Sequence, residues 1–319
     1  MEQTRITISG VDISLISVRA AVVGSGAAAL NAAVHLRRLG VDDVAIFTGR
    51  MGAGVSANAG SDKQTYYRLN PAGDAGDSAR VMARRLFAGG CVHGDLALVE
   101  ASLSLFEFHH LVSLGVPFPF DRHGSFASYR TDHDERARGS SAGPGTSIMM
   151  YEKLRDEAAL LGIPVLEGLS LLDIATVGPP GSRRAAGFVA IGASSPPAGG
   201  YGLTAVRADF LVLGTGGPGA LYADSVYPDT QAGSLGAALA AGAAARNLSE
   251  SQFGIASRRP RWNLSGSYQQ VLPRYYSTAA DGTGEREFLA DFFPSQADML
   301  IAQFRKGYEW PFDARKIAG

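Results

Sequence analysis

The chain has a single cysteine, no long apolar run and almost no net charge, and each of these absences excludes a class of protein. Cys91, alone among 319 residues, cannot form an internal disulfide, which favours a reducing compartment and predicts the cytoplasm. No stretch approaches the roughly 20 consecutive apolar residues that a membrane span needs, and residues 1–5 do not resemble a secretory signal. A formal net charge of −1 gives no reason to expect a nucleic acid or an anionic membrane as partner.

What is present is the composition of a globular protein with a large core. Hydrophobic residues make up 46% of the chain, and this length predicts roughly two domains. Periodicity and turn residues predict strands at 5–8, 13–18, 19–23, 44–48, 163–166, 171–177, 187–191, 202–207 and 210–213. They predict helices from the turn at 24–26 to Leu39, and at 78–88, 94–114, 145–161 and 232–245.

Three segments carry further expectations. The stretch 49–62 is rich in small residues and is predicted to be a loop, too flexible to be a helix. The stretch 120–144 is polar and is predicted to be an irregular surface excursion near a site. In the helix 94–114, one side carries Leu96, Val99, Leu103, Phe106 and His110.

The most informative stretch joins an apolar strand to a helix through a glycine turn and reads AVVGSGAAA at residues 21–29. Gly24 can adopt a backbone conformation that other residues resist, Gly26 lets the main chain approach a pyrophosphate, and Ala29 keeps the helix close to the sheet. The N–H groups and dipole at the helix start favour a phosphate. The pattern therefore predicts a dinucleotide cradle, with a tight strand-to-helix packing motif as the alternative.

A second glycine cluster, GTGGPG at residues 214–219, follows the apolar strand 210–213. In open α/β sheets ligands bind beyond the carboxyl ends of the strands. Both glycine turns are therefore expected to face one ligand and to be neighbours in space. The alternative is a plain glycine-rich β-turn.

Four segments in this order resemble the flavoprotein family of fumarate reductase, succinate dehydrogenase and L-aspartate oxidase: GSGAAA, GVSANAGSD, LGVPF and ADFLVLGTGGPGALY. The resemblance covers roughly residues 18–253. It implies an α/β fold, a Rossmann-like FAD-binding domain with an inserted β-meander, at residues 1–257. Residues 258–319 would begin a cap domain over the substrate, apparently truncated.

The resemblance also implies which residues bind FAD. The pyrophosphate would lie at the first glycine turn and helix start, the ribose and phosphates at the end of the second strand, and the isoalloxazine along the following loop. We expect FAD to be noncovalent, because Ser56-Ala57-Asn58 stands where members with covalent flavin have a histidine. The implied cofactor-binding residues are Gly24, Gly26, Ala27, Ala28, Ala29, Thr48, Gly49, Arg50, Ser56, Asn58, Ala59, Gly60, Thr215, Gly216 and Gly217.

The chain also departs from the family pattern. No acidic residue follows the second strand at 47–50, so recognition of the ribose must differ: Thr48 could accept a hydroxyl hydrogen bond, or Arg50 could contact a phosphate. The family segment Gln-Phe-His-Pro reads Gln-Phe-Gly-Ile at 252–255, which weakens fumarate or succinate as substrate. The turn before the small-residue helix is altered to DTQAG at 229–233, and the family's later elements have no counterpart.

Two polar stretches supply candidate catalytic residues. In TDHDERAR at 131–138, His133 could relay a proton and Arg136 or Arg138 could clamp a carboxylate, although charged clusters are usually solvated surface. Arg274 belongs to a cationic and aromatic stretch from 258 to 276, which could bind an acidic substrate or form a domain interface. No metal site is predicted, because Asp132, His133 and Asp134 have no second ligand cluster.

We therefore predict an FAD-dependent oxidoreductase of this flavoprotein type. It would transfer a hydride between flavin N5 and a small carboxylate- or carbonyl-bearing substrate. The alternatives are a flavin-binding scaffold without turnover or an inactive fragment and, less favoured, a nicotinamide-dependent enzyme. The electron donor or acceptor is unknown, and a homo-oligomer stays open.

Overall fold

The structure, a computed structural model, describes residues 1–61, 64–71, 76–131, 134–179, 181–192, 201–248, 256–264, 269 and 271–306. The strands are β1 Glu2–Ile8, β2 Val11–Val23, β3 Val44–Phe47, β4 Tyr66–Tyr67, β5 Tyr129–Thr131, β6 Asp134–Ser140, β7 Val165–Leu166, β8 Leu169–Val177, β9 Arg184–Gly192, β10 Leu203–Leu213, β11 Ala256–Arg258, β12 Arg261–Asn263, β13 Tyr276–Ser277 and β14 Arg286–Glu287. The helices are α1 Ala27–Arg38, α2 Val55–Asn58, α3 Ala79–Phe87, α4 Gly94–Ser113, α5 Thr146–Leu160, α6 Leu235–Ala240 and α7 Gln296–Lys306.

The main sheet has the order β7-β3-β2-β10-β9-β8, with β1 paired to β2. Strands β7, β3, β2 and β10 run parallel, whereas β9 and β8 continue the sheet as an antiparallel meander. The parallel strands therefore end at one shared edge. The α/β fold with an inserted meander that the sequence predicts is confirmed.

Two strands are longer than the sequence predicts. Segments 13–18 and 19–23 form the single strand β2, and segments 202–207 and 210–213 form the single strand β10. Neither stretch contains the glycine or proline that would interrupt a ladder. Because β2 and β10 pair in parallel register from Thr204 and Ser14 to Leu213 and Val23, both end at the same level.

The core lies on both faces of the central strands. On one face α1, α4 and α5 cover β2 and β3, and Leu30 and Val34 of α1 are fully buried there. Each such side chain stabilises the fold by about 1.5–3 kcal/mol through burial. On the other face the meander packs against the sheet, where Phe47 and Phe188 meet edge to face with ring centroids 5.3 Å apart. This packing holds the strand ends in place.

Helix α4 exposes several large apolar residues, whereas its Phe108 and Leu111 are buried in the core. Leu96, Val99, Leu103 and Phe106 are between 49% and 67% exposed, although His110 is buried. The small residues Ala97 and Ala101 pack instead against Met82 and Ala83 of α3. The reason is close helix packing, which small side chains permit better than large ones.

The sequence predicts an irregular excursion at 120–144. This prediction is wrong, because the segment contains the strands β5 and β6. These strands join β4 in a three-stranded sheet of order β4-β6-β5. Arg138 and Asp134 of β6 are buried and form an ion pair. The loop at 49–62 likewise contains the short helix α2, and α6 is shorter than the predicted helix 232–245.

No helix in the described part of the chain is long and apolar enough to cross a membrane. Within the same ranges, no group of three or more His, Cys, Asp or Glu residues is arranged to hold a metal ion. Of the sequence candidates for such a site, Asp132 and His133 lie outside the described residues.

Candidate cofactor site

The two glycine turns lie against each other at the shared strand edge. The amide of Gly24 donates to the carbonyl of Phe47 at 2.8 Å, and the amide of Gly214 donates to the carbonyl of Val23 at 2.8 Å. A Cβ on Gly24 would lie 2.4 Å from the carbonyl oxygen of Gly214, and one on Gly214 would lie 2.5 Å from the Cβ of Ala29. The expectation that the turns are neighbours in space is confirmed. Only glycine fits both positions, and Gly24 also has a φ of +107°.

The start of α1 presents backbone donors at this edge. Its first intrahelical bond runs from the amide of Leu30 to the carbonyl of Gly26. The amide of Ala27 donates to Ser56 Oγ at 3.0 Å. Within the described residues, the amides of Ala28 and Ala29 donate to no acceptor, and Ala28 is exposed. Ala29 is fully buried, so the amide of Ala28 is the exposed donor at the positive end of the helix dipole, where an anion is favoured.

A buried hydroxyl pair ties the first glycine turn to the neighbouring strand. Ser25 Oγ and Thr48 Oγ1 share a hydrogen bond of 2.9 Å, and both residues are buried. Ser25 Oγ also lies 3.4 Å from the carbonyl oxygen of Arg50. The hydroxyl of Thr48 therefore already makes one hydrogen bond inside the protein, so it has fewer hydrogen-bonding positions available for a ligand.

Residues 49–60 form a loop that the rest of the edge holds in shape. The side-chain amide of Asn58 donates to the carbonyls of Gly52 at 2.7 Å and Gly54 at 2.8 Å, so Asn58 braces the loop. Ser147 Oγ at the start of α5 donates to the carbonyl of Ser56 at 2.7 Å. These bonds fix the backbone beside the first glycine turn.

The two ends of this loop are also anchored. At one end the carbonyl of Gly49 accepts the amide of Gly168 at 3.0 Å, while the Arg50 side chain is exposed. At the other end the carbonyl of Ala59 accepts Gln64 Nε2 at 3.1 Å. Gly60 packs so closely on β12 that a Cβ there would lie 2.6 Å from the carbonyl oxygen of Arg261.

The second glycine turn packs on Gln231, a residue that the sequence reasoning did not assign to the site. Gln231 is buried, and its Nε2 donates to the carbonyl of Gly217 at 3.0 Å. Gly216 has a φ of +71°, and a Cβ there would overlap Gln231 Nε2. Thr230 Oγ1 donates to the carbonyl of Ala53 at 2.7 Å, which joins this turn to loop 49–60. The only sequence signal was the altered turn at 229–233.

The candidate catalytic residues His133, Arg136 and Arg274 lie in different parts of the chain. His133 lies outside the described residues. Arg136 lies on β6, where its guanidinium donates to the carbonyl of Gly76. Arg274 is 58% exposed and pairs with Glu285 and Glu287, whose hydrogen bonds raise its pKa, Glu287 more strongly. The catalytic roles of these candidates stay predictions.

Next to Arg136 lies a buried ion-pair cluster that the sequence reasoning did not identify. The Arg138 guanidinium, 1% exposed, donates to both carboxylate oxygens of Asp77 at 2.7 and 2.9 Å and to Asp134 at 3.1 Å. Burial alone would raise the pKa of Asp77, but the hydrogen bonds from Arg138 and from two backbone amides outweigh it and lower that pKa. Burial, followed by a hydrogen bond with Asp134, raises the pKa of Tyr67 to about 12. The cluster fixes β6 to β4 and the start of α3.

The family of FAD binding domains matches residues 19–291 of the chain. The chain belongs to this family of FAD-dependent oxidoreductases. That assignment rests on the sequence match, which extends over the whole edge described above.

Solved structures with the same fold include two quinol-fumarate reductases and an Sdh1 complex. A quinol-fumarate reductase with menaquinol has a TM-score of 0.68 at 20% identity, and covers 92% of this chain and 52% of its own. Quinol-fumarate reductase of E. coli has a TM-score of 0.67 at 19% identity, with coverages of 92% and 52%. The Sdh1 complex of Mycobacterium smegmatis has a TM-score of 0.59 at 20% identity, with coverages of 72% and 39%.

These identities show a shared fold, and the chain spans about half the length of the fumarate reductases that it matches. None of the curated proteins compared with it matches the sequence. The residues at the strand edge fit the pyrophosphate of FAD, because the exposed, unbonded amide of Ala28 at the start of α1 supplies a donor that an anion requires. Gly217 leaves open space on the same edge, since a Cβ there would meet nothing within 4 Å.

Proposed function

We propose that this protein is an FAD-dependent oxidoreductase that holds its flavin noncovalently and acts on a small substrate bearing a carboxylate or a carbonyl. The observation that carries the proposal is the contact between the two glycine turns, Gly24 against Gly214, at the carboxyl edge of the parallel strands. Bound FAD would supply the hydride chemistry, since its N5 accepts or donates a hydride.

The chain's own residues would bind and orient the cofactor. The amide of Ala28 would bind the pyrophosphate, helped by the α1 dipole. Ser56, Asn58, Ala59 and Gly60 would run along the isoalloxazine on a loop whose backbone is fixed by Asn58 and Ser147. A rigid loop supports catalysis because it keeps the reacting ring in one position.

The second glycine turn would close the site from the other side. Thr215, Gly216 and Gly217 would lie on the nucleotide, and Gln231 keeps this turn in shape by its bond to Gly217. Noncovalent binding follows from the side chains of Ser56, Ala57 and Asn58, none of which carries an imidazole. Acid precipitation would test it, because noncovalent FAD appears in the supernatant and covalent flavin stays in the pellet.

Charged side chains are the candidates to bind the substrate. Arg136 and Arg274 remain candidates to clamp a substrate carboxylate and His133 to move a proton. We propose the division into residues 1–257 for the cofactor and 258–319 for the substrate cap. We propose the cytoplasm as compartment because the one cysteine forms no internal disulfide.

Anaerobic reoxidation tests the proposed activity. The full-length protein, purified with FAD, is reduced with dithionite and then mixed with fumarate and a panel of enoates. We expect at least one of these acceptors to restore the oxidised flavin spectrum. A flavin that stays reduced with every acceptor while a chemical oxidant restores it would contradict the oxidoreductase and indicate a flavin-binding scaffold.

A further inference from the structure

We infer that Glu167 supplies the carboxylate that binds the adenosine ribose of the cofactor, from a strand other than the expected one. The inference rests on the proposed FAD binding and names the residue that would recognise the ribose. A dinucleotide-binding fold places an acidic residue after its second strand, where it binds the ribose hydroxyls. This acidic residue is missing here, because residues 47–50 read Phe-Thr-Gly-Arg.

Glu167 lies next to the position where the acidic residue is missing, at the end of β3. Strand β7 pairs in parallel with β3, with Leu166 opposite Phe47, so Glu167 follows its strand at the same edge. The pairing continues beyond the strand ends, because the amide of Leu169 donates to the carbonyl of Thr48 at 3.1 Å. Adjacent strands lie about 4.8 Å apart. A glutamate side chain can span that distance to the position that the missing acid would occupy.

The carboxylate of Glu167 is in fact turned toward the end of β3. Its Oε2 accepts the backbone amide of Met51 at 2.9 Å, and Glu167 is exposed. Within the described residues, no other hydrogen bond to this carboxylate is present. A carboxylate has about four acceptor positions, so it retains the capacity to accept both hydroxyls of a ribose diol.

The two sequence candidates at this place are less suited to the ribose. Thr48 is buried, and its hydroxyl already bonds to Ser25 at 2.9 Å. Arg50 has only donors on its side chain, whereas a diol that offers two O–H groups is best bound by an anionic acceptor. Glu167 therefore combines the required chemistry with the required location.

The experiment compares two cofactors on the apo form of the full-length protein. The ligands are FAD and an FAD analogue that lacks the 2′-hydroxyl of the adenosine ribose, and the readout is the dissociation constant from flavin fluorescence. We expect the unaltered protein to prefer FAD by about tenfold or more, the range for a hydrogen bond to a charged group. Glu167→Gln can still accept the Met51 amide, and we expect it to reduce this preference to below about threefold.

Two further variants separate the roles. Glu2→Gln removes an exposed carboxylate from β1 and is expected to keep the full preference. Thr48→Val tests the competing ligand and is also expected to keep it. Loss of the preference in Thr48→Val but not in Glu167→Gln would overturn the inference, as would an equal loss of affinity for both ligands in Glu167→Gln.

Failure of the inference and failure of the proposed function give different results. If the unaltered protein binds FAD and its analogue equally well, the inference about Glu167 is wrong and the FAD site stands. If the folded protein binds neither ligand, the proposed function fails and the inference fails with it.

Discussion

Gly24 and Gly214 meet so closely that a Cβ on the first would lie 2.4 Å from the carbonyl oxygen of the second. These residues are 190 positions apart in the chain, yet each ends a strand of the same parallel pair. The contact brings two glycine-rich turns together at one edge of the sheet. It is the relationship on which the cofactor site depends, and it can be tested by adding a methyl group.

The first prediction concerns that close contact. Gly214→Ala should lower the free energy of unfolding by about 1–3 kcal/mol, because its Cβ would lie 2.5 Å from the Cβ of Ala29. Gly217→Ala in the same turn is the matched control, and should change stability by less than about 0.5 kcal/mol, since a Cβ there meets nothing within 4 Å. Urea unfolding of the apo proteins measures both. Equal stability of the two variants would contradict the packing described.

The second prediction concerns the buried ion pairs. Arg138→Met should cost about 3–5 kcal/mol of stability, because it leaves the carboxylates of Asp77 and Asp134 buried without their cation. Arg136→Met, two residues away on the same strand, should cost about 1 kcal/mol, since its guanidinium donates to the backbone carbonyl of Gly76. Comparable losses in urea unfolding would show that the cluster does not stabilise β6.

The third prediction is the pH dependence of that cluster. The pKa of Asp77 is lower in the folded protein than its ordinary value of about 3.9. Its stabilising effect is therefore complete above the unfolded pKa and is lost as the pH falls through the folded pKa. The difference in unfolding free energy between the unaltered protein and Arg138→Met should narrow as the pH falls from about 4 to about 2. A difference that stays constant over this range would contradict the lowered pKa.

The fourth prediction concerns His110, where α4 packs against α1. Burial, followed by the charges of His35 and Arg38, lowers the pKa of His110, and its Nε2 is buried without a hydrogen-bond partner in the described structure. The neutral His110 side chain therefore contributes its full stabilisation above its unfolded pKa of about 6.5. This contribution is lost as the pH falls toward the lower pKa of His110 in the folded protein.

His110→Leu should flatten this part of the stability profile between about pH 7 and pH 5. The exposed His123 provides the control, since His123→Gln should keep the profile of the unaltered protein. A profile for His110→Leu that still falls as steeply would show that another group is responsible.

The sequence was most informative where local signals agreed. Gly24, Gly26 and the periodic helix after them predicted α1 and its turn correctly, and Gly40 ends the helix with a φ of +87°. The apolar strand before the second glycine cluster then placed that cluster at the same edge. These features could be predicted because a turn that requires glycine leaves a direct mark in the sequence.

What could not be predicted depends on contacts between distant segments. Arg138 looked like part of a solvated charged stretch, because its partner Asp77 is 61 positions away. Gln231 and Glu167 carry no motif, and they join the site only through neighbouring turns and strands. The exposed apolar residues of α4 could not be predicted for the same reason: which face of α4 is buried depends on the packing of Ala97 and Ala101 against the distant helix α3.

The most direct test of the account is the absorbance spectrum of the folded full-length protein after incubation with FAD and removal of the unbound cofactor. The account expects the flavin bands to remain with the protein, and to move entirely into the supernatant after acid precipitation. A folded protein that keeps no flavin would contradict the binding of FAD across Gly24 and Gly214.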